Sequence, residues 1–191
     1  MHGSDRLGAN RTPNGSRLAA LAYAAAWLAA ATVIVGVLLV LLDTGEPDEV
    51  SLPPVHETEL TLAARRAGCE LHHAQPGEHL NPPVVGGIGA LPARPGFYEE
   101  SPSASSLLAA LRDGVVVIHF RNLDGSDVDL LRTFQEALPD GTIVAPNDSG
   151  MPFVVAVTAY RRLLGCRDLS ESSVDAIQLF RGRFVGSGPD V

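Results

Sequence analysis

The sequence predicts an α+β protein: one N-terminal transmembrane helix followed by a small mixed α/β extracytoplasmic domain, with a β-α-β-β-α core and a Pro/Gly-rich N-terminal loop. Three observations carry the prediction. Residues 18–42 form a run of 25 residues without a charge, apolar runs of strand length alternate with amphipathic stretches beyond residue 102, and the only two cysteines both follow the uncharged run. A chain of 191 residues holds one core of ordinary size plus an extra segment. The expected organisation is a cytoplasmic disordered tail (1–17), the transmembrane helix (18–42), a linker (43–55) and an extracytoplasmic domain (56–191).

The tail is rich in Gly, Asn and Arg and has no apolar periodicity. The run LAALAYAAAWLAAATVIVGVLLVLL would extend about 37 Å as a helix and cross a hydrocarbon core of roughly 30 Å with some tilt. A cleaved signal peptide has an apolar region of only about 7 to 15 residues, ending in small residues at the cleavage site. This run ends in LVLLDTGEP, with neither a cleavage site nor a lipid-accepting Cys, so an uncleaved anchor is expected and the lipid bilayer is its partner. Arg6, Arg11 and Arg17 precede the span, whereas Asp43, Glu46, Asp48 and Glu49 follow it. That asymmetry keeps the N-terminus in the cytoplasm and places the C-terminal domain outside the plasma membrane.

The formal net charge is −8, and residues 1–42 contribute +2, which leaves −10 for the rest. All 14 basic residues are Arg, and they form no cationic face with interleaved aromatics. Nucleic acid is therefore not an expected partner, because binding it needs clustered cations to displace counterions from phosphates.

The elements follow in order. Pro47, Pro53 and Pro54 make the linker extended. ETELTLAARRA (57–67) has helical character and is ended by Gly68. Nine Pro and Gly residues between 75 and 96 exclude regular structure there, and a loop of that length is the first place to look for a binding surface. Residues 103–111 read as a short helix and 115–120 as a buried strand, joined at Arg112, Asp113 and Gly114. Ser126 is the expected cap of a helix through Leu138, burying Val128, Leu131, Phe134 and Leu138. Asp140-Gly141 turns into a strand at 142–145, and 153–158 is fit for a central strand. A last helix over 171–184 buries Val174, Ile177 and Phe180 or Phe184 and ends near Gly186. The resulting order fits a truncated thioredoxin-like sheet and several other α+β layouts, so it fixes class alone.

An exported compartment favours pairing of an even cysteine count, so a Cys69–Cys166 disulfide is expected, two separate buried thiols being the alternative. Neither cysteine has a second one nearby in sequence, which makes the bridge structural rather than redox-active. The metal candidates are Cys69, His72, His73 and His79, with His56 upstream, because Cys-x2-His is a ligand-like spacing. Adjacent histidines on an extended strand point to opposite faces, however, and a disulfide consumes Cys69. His119, in an apolar strand, is expected as a hydrogen-bonded structural residue; with Asp113 and a Ser it makes a triad on paper, but no Gly-x-Ser-x-Gly elbow exposes a nucleophile. Gly182, Gly186 and Gly188 do not lie between a strand and a helix, so they form no phosphate-cradling loop.

The passages NPPVVGG (81–87), GFY (96–98), LLAALRDGVVVIHF (107–120), MPFVVAVTAYRRLLGC (151–166) and AIQLFRGRFVGSGPD (176–190) occur in an order that resembles a bacterial membrane-anchored family known as domain of unknown function 3105. The resemblance spans residues 69–190, and the family tends to carry cysteines at both positions, which supports the disulfide. Members typically have a His shortly after the Pro-Pro pair and a His-x-Leu-Glu-His-Gly run leading into the strand, a set that looks like a metal or acid/base site. On that pattern this sequence has Ile88 at the first His, Ala109 and Asp113 at the histidines of the run, and Arg112 at its Glu. Only Leu111 and Gly114 keep the run, and His79 matches a further family His. The resemblance implies that this chain lacks any histidine site of the family and keeps the charged joint as a turn.

The expected protein is thus a single-pass anchored module of the bacterial cell envelope, noncatalytic, without cofactor or metal, that binds or scaffolds an envelope protein. The alternative is an envelope metal-binding protein or enzyme using His72, His73 and His79.

Overall fold

The computed structural model describes Leu52, Val55 and residues 58–191. The tail, the span at 18–42, His56 and most of the linker lie outside the described residues. Among the described residues no helix is long and apolar enough to cross a membrane. They form four helices and one six-stranded sheet.

Helix α1 (Leu60–Arg66) is capped by Glu59, whose carboxylate accepts from the Thr61 N–H. Gly68, at φ +64°, ends it and delivers the chain to Cys69 and strand β1 (Glu70–His73). The long loop then runs without regular structure to β2 (Gly96–Phe97). Ser103 caps α2 (Ala104–Arg112), which leads into β3 (Val116–Phe120). Helix α3 (Gly125–Ala137), β4 (Thr142–Pro146), β5 (Val155–Ala159), β6 (Arg162–Cys166) and α4 (Glu171–Phe184) complete the domain.

Beyond residue 57 the expected helices are all present, with one correction in capping. Asp124, not Ser126, caps α3: its carboxylate accepts from the Asp127 N–H at 3.0 Å and from the Ser126 hydroxyl at 2.8 Å. An ionised acceptor satisfies the free N–H groups of a first turn better than a hydroxyl. Three strands were not expected. β1 reads as polar ELHH, β2 is only two residues long, and β6 carries Gly165. Gly165 leaves the space that the Phe153 ring occupies, where a Cβ has no room. Phe153 accordingly lies before β5 rather than in it, correcting the 153–158 strand to Val155–Ala159.

The sheet order is β1-β6-β5-β3-β4-β2. β3 and β4 are parallel and joined through α3, β5 runs antiparallel to β3, and β6 returns antiparallel to β5. Those four strands with α3 and α4 follow the thioredoxin-like layout, and β1 and β2 extend it at the two edges. The β5–β6 turn is Tyr160-Arg161, with Arg161 at φ +60°. This turn has none of the Asn or Gly that usually marks a two-residue hairpin, which is why the sequence hides it. Arg161 is held instead by the long loop: its guanidinium donates to the Ala74 carbonyl at 3.0 Å, and its N–H to the Val84 carbonyl at 3.0 Å.

One face of the sheet, with Ile118, Val144, Val157 and Leu164, packs against α1, α3 and α4 through Leu60, Phe134, Ile177 and Phe180. The other face is covered in two pieces. Leu107, Ala110 and Leu111 of α2 pack on Val117 and Ile143, whereas Ala74, Val84, Met151 and Phe153 from loops pack on Ala156 and Leu163.

Two ties close the fold. Cys69 and Cys166 form a disulfide across 97 residues of sequence, joining the end of α1 to the end of β6. The joint at Arg112, Asp113 and Gly114 receives the C-terminal segment. Arg112 Nε and Nη2 donate to the two Asp190 carboxylate oxygens at 2.8 and 2.9 Å, and the Asp190 N–H donates to the Arg112 carbonyl at 3.1 Å. Gly186 N–H donates to the Gly114 carbonyl at 2.8 Å, and Gly188 lies too close to the Arg112 carbonyl to carry a Cβ.

Replacing both cysteines by Ala is expected to lower unfolding stability by about 2 to 4 kcal/mol, less than the chain-entropy ceiling of about 4.7 for a loop of this size. Urea titration of the full chain checks it. Gly114→Ala places a Cβ 2.8 Å from the Gly186 backbone at φ +77° and is expected to cost more than about 1 kcal/mol. Asp190→Asn, at an ion pair partly open to water, is expected to cost at most about 1 kcal/mol, and less in high salt.

Candidate functional site

The split cover of the second sheet face leaves a cavity of about 510 Å³ between α2 and the long loop. Its walls are Leu80 and Pro83 from the loop and Leu107, Leu108 and Leu111 from α2. His119 of β3 and Thr158 of β5 form its floor, and Asn81, Asn147, Asp148 and Ser149 cluster toward one side. A mostly apolar concavity with a few convergent polar groups is the usual form of a ligand site.

The polar groups are joined in one chain. Asn147 is fixed by its N–H, which donates to the Phe120 carbonyl at 2.8 Å. Its Oδ1 accepts from the Ser149 N–H at 2.9 Å and from the Ser149 hydroxyl at 2.6 Å. The amide Nδ2 must then face His119 Nδ1, 3.3 Å away, and donate to it. Nδ1 therefore carries the lone pair and Nε2 the proton, which goes to Thr158 Oγ1 at 3.2 Å. The Thr158 hydroxyl is directed on to the Val117 carbonyl at 3.4 Å.

His119 is only 5% exposed, and burial lowers its pKa from 6.5 to about 4. The ring is neutral at pH 7. The unfolded chain takes up a proton near pH 6.5 that the folded chain refuses until about pH 4, so stability falls as pH drops through that window. His119→Gln is expected to remove that part of the acid sensitivity, about 3 kcal/mol between pH 7 and pH 4. Denaturant titrations of both proteins across that range check it, because the carboxylates common to both cancel in the comparison.

His119 thus has the hydrogen-bonded role expected of it. Asp113 is not among the cavity residues; it ends α2, and among the described residues no carboxylate bonds the His119 ring. Among the described residues no three His, Cys, Asp or Glu side chains gather as a metal requires, so His72, His73 and His79 are not brought together. Cys69 is in the disulfide. His72 Nε2 lies 3.4 Å from Glu70 Oε2 without hydrogen-bond geometry, and its ring is 6.3 Å from that of Phe153. His73, the next residue of β1, and His79 in the loop are exposed. At the positions where the resemblance implied histidines, Ile88 is 85% exposed and Ala109 is buried beneath Gly87, whose backbone lies against the helix.

Asn81, Asn147, Ser149 and Thr158 were not legible as site residues. Asn147-Asp148-Ser149-Gly150 reads as turn chemistry, and nothing local ties it to a histidine 28 residues upstream.

The fold and cavity define a small mixed α/β domain with an apolar concavity floored by hydrogen-bonded polar groups. The family model described as Protein of unknown function (DUF3105) matches residues 79–182, more than half of the chain, and the chain belongs to that family. No curated protein and no solved structure matches it.

Proposed function

We propose that the chain is a single-pass membrane protein whose extracytoplasmic domain is a noncatalytic binding module of the bacterial cell envelope, engaging an envelope protein. The closed hydrogen-bond chain in the cavity carries the noncatalytic part. Nucleophilic catalysis needs a hydroxyl in contact with a base, and proton transfer needs a base with a free lone pair. Ser149 gives its proton to Asn147, and both ring nitrogens of neutral His119 are engaged. The cavity walls are built to hold a molecule, and its floor offers no poised acid or base.

The anchoring rests on the sequence. Residues 18–42 are long enough and apolar enough to span a bilayer, and the flanking charges favour a cytoplasmic N-terminus. The Cys69–Cys166 bridge suits an oxidising compartment.

A protease added to intact cells is expected to degrade the domain beyond residue 55 while sparing the N-terminal tail; survival of the C-terminal domain would refute the orientation. Elemental analysis of the purified chain is expected to find no stoichiometric zinc or copper. Metal that disappears on His73→Ala or His79→Ala would refute the noncatalytic reading.

A further inference from the structure

Resting on the binding-module reading, we propose that the cavity between α2 and the long loop takes a small organic amine: an apolar body with one ammonium group. The walls and the polar side of the cavity ask for different chemistry. Leu80, Pro83, Leu107, Leu108 and Leu111 offer hydrocarbon alone, so the bulk of the ligand is apolar. The polar side offers acceptors beside the Asn81 amide N–H groups. Asp148 contributes the one formal charge of the lining at pH 7, since His119 is neutral there. Among the described residues no arginine lines the cavity, so no side-chain cation there compensates an anion.

Hydrogen accounting points the same way. The single Ser149 proton goes to Asn147 Oδ1 at 2.6 Å rather than to Asn81 Oδ1 at 3.4 Å. Toward the cavity Ser149 can then only accept, and Asn81 keeps its Oδ1 lone pairs. A carboxylate, a hydroxyl oxygen and an amide oxygen together match the three donors of an ammonium group. A carboxylate ligand would meet Asp148 without a partner side-chain cation. Asp148 is exposed, so its attraction is partly screened and the preference is modest and salt-dependent.

The experiment uses the full chain in lipid nanodiscs with labelled leucine methyl groups, read by NMR. Three probes of similar shape are titrated: 2-phenylethylamine, 2-phenylethanol and 3-phenylpropionate. The amine is expected to shift the Leu107, Leu108 and Leu111 methyls at the lowest concentration, the alcohol about five- to tenfold higher, and the carboxylate more weakly still. Asp148→Asn, a change at the exposed rim, is expected to bring the amine to the affinity of the alcohol; Leu108→Trp is expected to block all three. Equal or tighter binding of the carboxylate, an amine affinity unchanged by Asp148→Asn, or shifts absent from these methyls would overturn the assignment. Conversion of a probe to product would support the cavity as the site while refuting the noncatalytic reading, so the two failures are distinct.

Discussion

The central strands of this sheet are buried on both faces, yet the chain supplies helices for little more than one of them. β3, β4 and β5 are almost wholly enclosed, so water must be excluded from two surfaces at once. Helices α1, α3 and α4 seal the first. On the second, α2 covers β3 and β4, and the stretch over β5 and β6 falls to loops. A loop can cover a sheet only if its own backbone groups are satisfied and its position fixed. Arg161 does both, taking the Ala74 and Val84 carbonyls from the tip of the β5–β6 hairpin. The left-handed conformation of that residue, unfavourable for a side chain of its size, is held by the bonds that clamp the loop.

The cavity follows from this arrangement. A helix and a loop laid side by side on one sheet face do not interdigitate as two helices do, and the gap opens where β3 and β5 present His119 and Thr158. Polar residues on an otherwise apolar face need partners. They find them in each other and in Asn147, which the β4–β5 connection brings over the end of β3. The same bonds that make the polar floor affordable hold the histidine in one neutral tautomer.

Membership in the family rests on the region 79–182, which contains most of the long loop, α2, β3 and the hairpin. The charged joint between α2 and β3 is more than a turn: Arg112 and Gly114 receive the C-terminal segment through a carboxylate fork and two backbone bonds. Ionisable side chains at the end of a helix invite an active-site reading, and here their partners are structural.

The helices of the described domain were legible because they carry their own signals: apolar spacing at Leu131 and Phe134 and at Val174 and Ile177, and stops at Gly68 and near Gly186. The apolar runs of β3, β4 and β5 announced themselves by composition, and the cysteine pair by its count and place in the chain. These are local quantities, or nearly so. β1, β2 and β6 were invisible because pairing makes them strands: ELHH is extended only because β6 lies beside it, and β6 tolerates Gly165 only because Phe153 fills the space. The site was hidden for the same reason. By itself the sequence determined which segments of the described domain are helices and which apolar runs form its central strands. Only the tertiary structure decided that Asn147 and Ser149 complete the surroundings of His119, because hydrogen bonds between residues far apart in sequence leave no trace in local pattern.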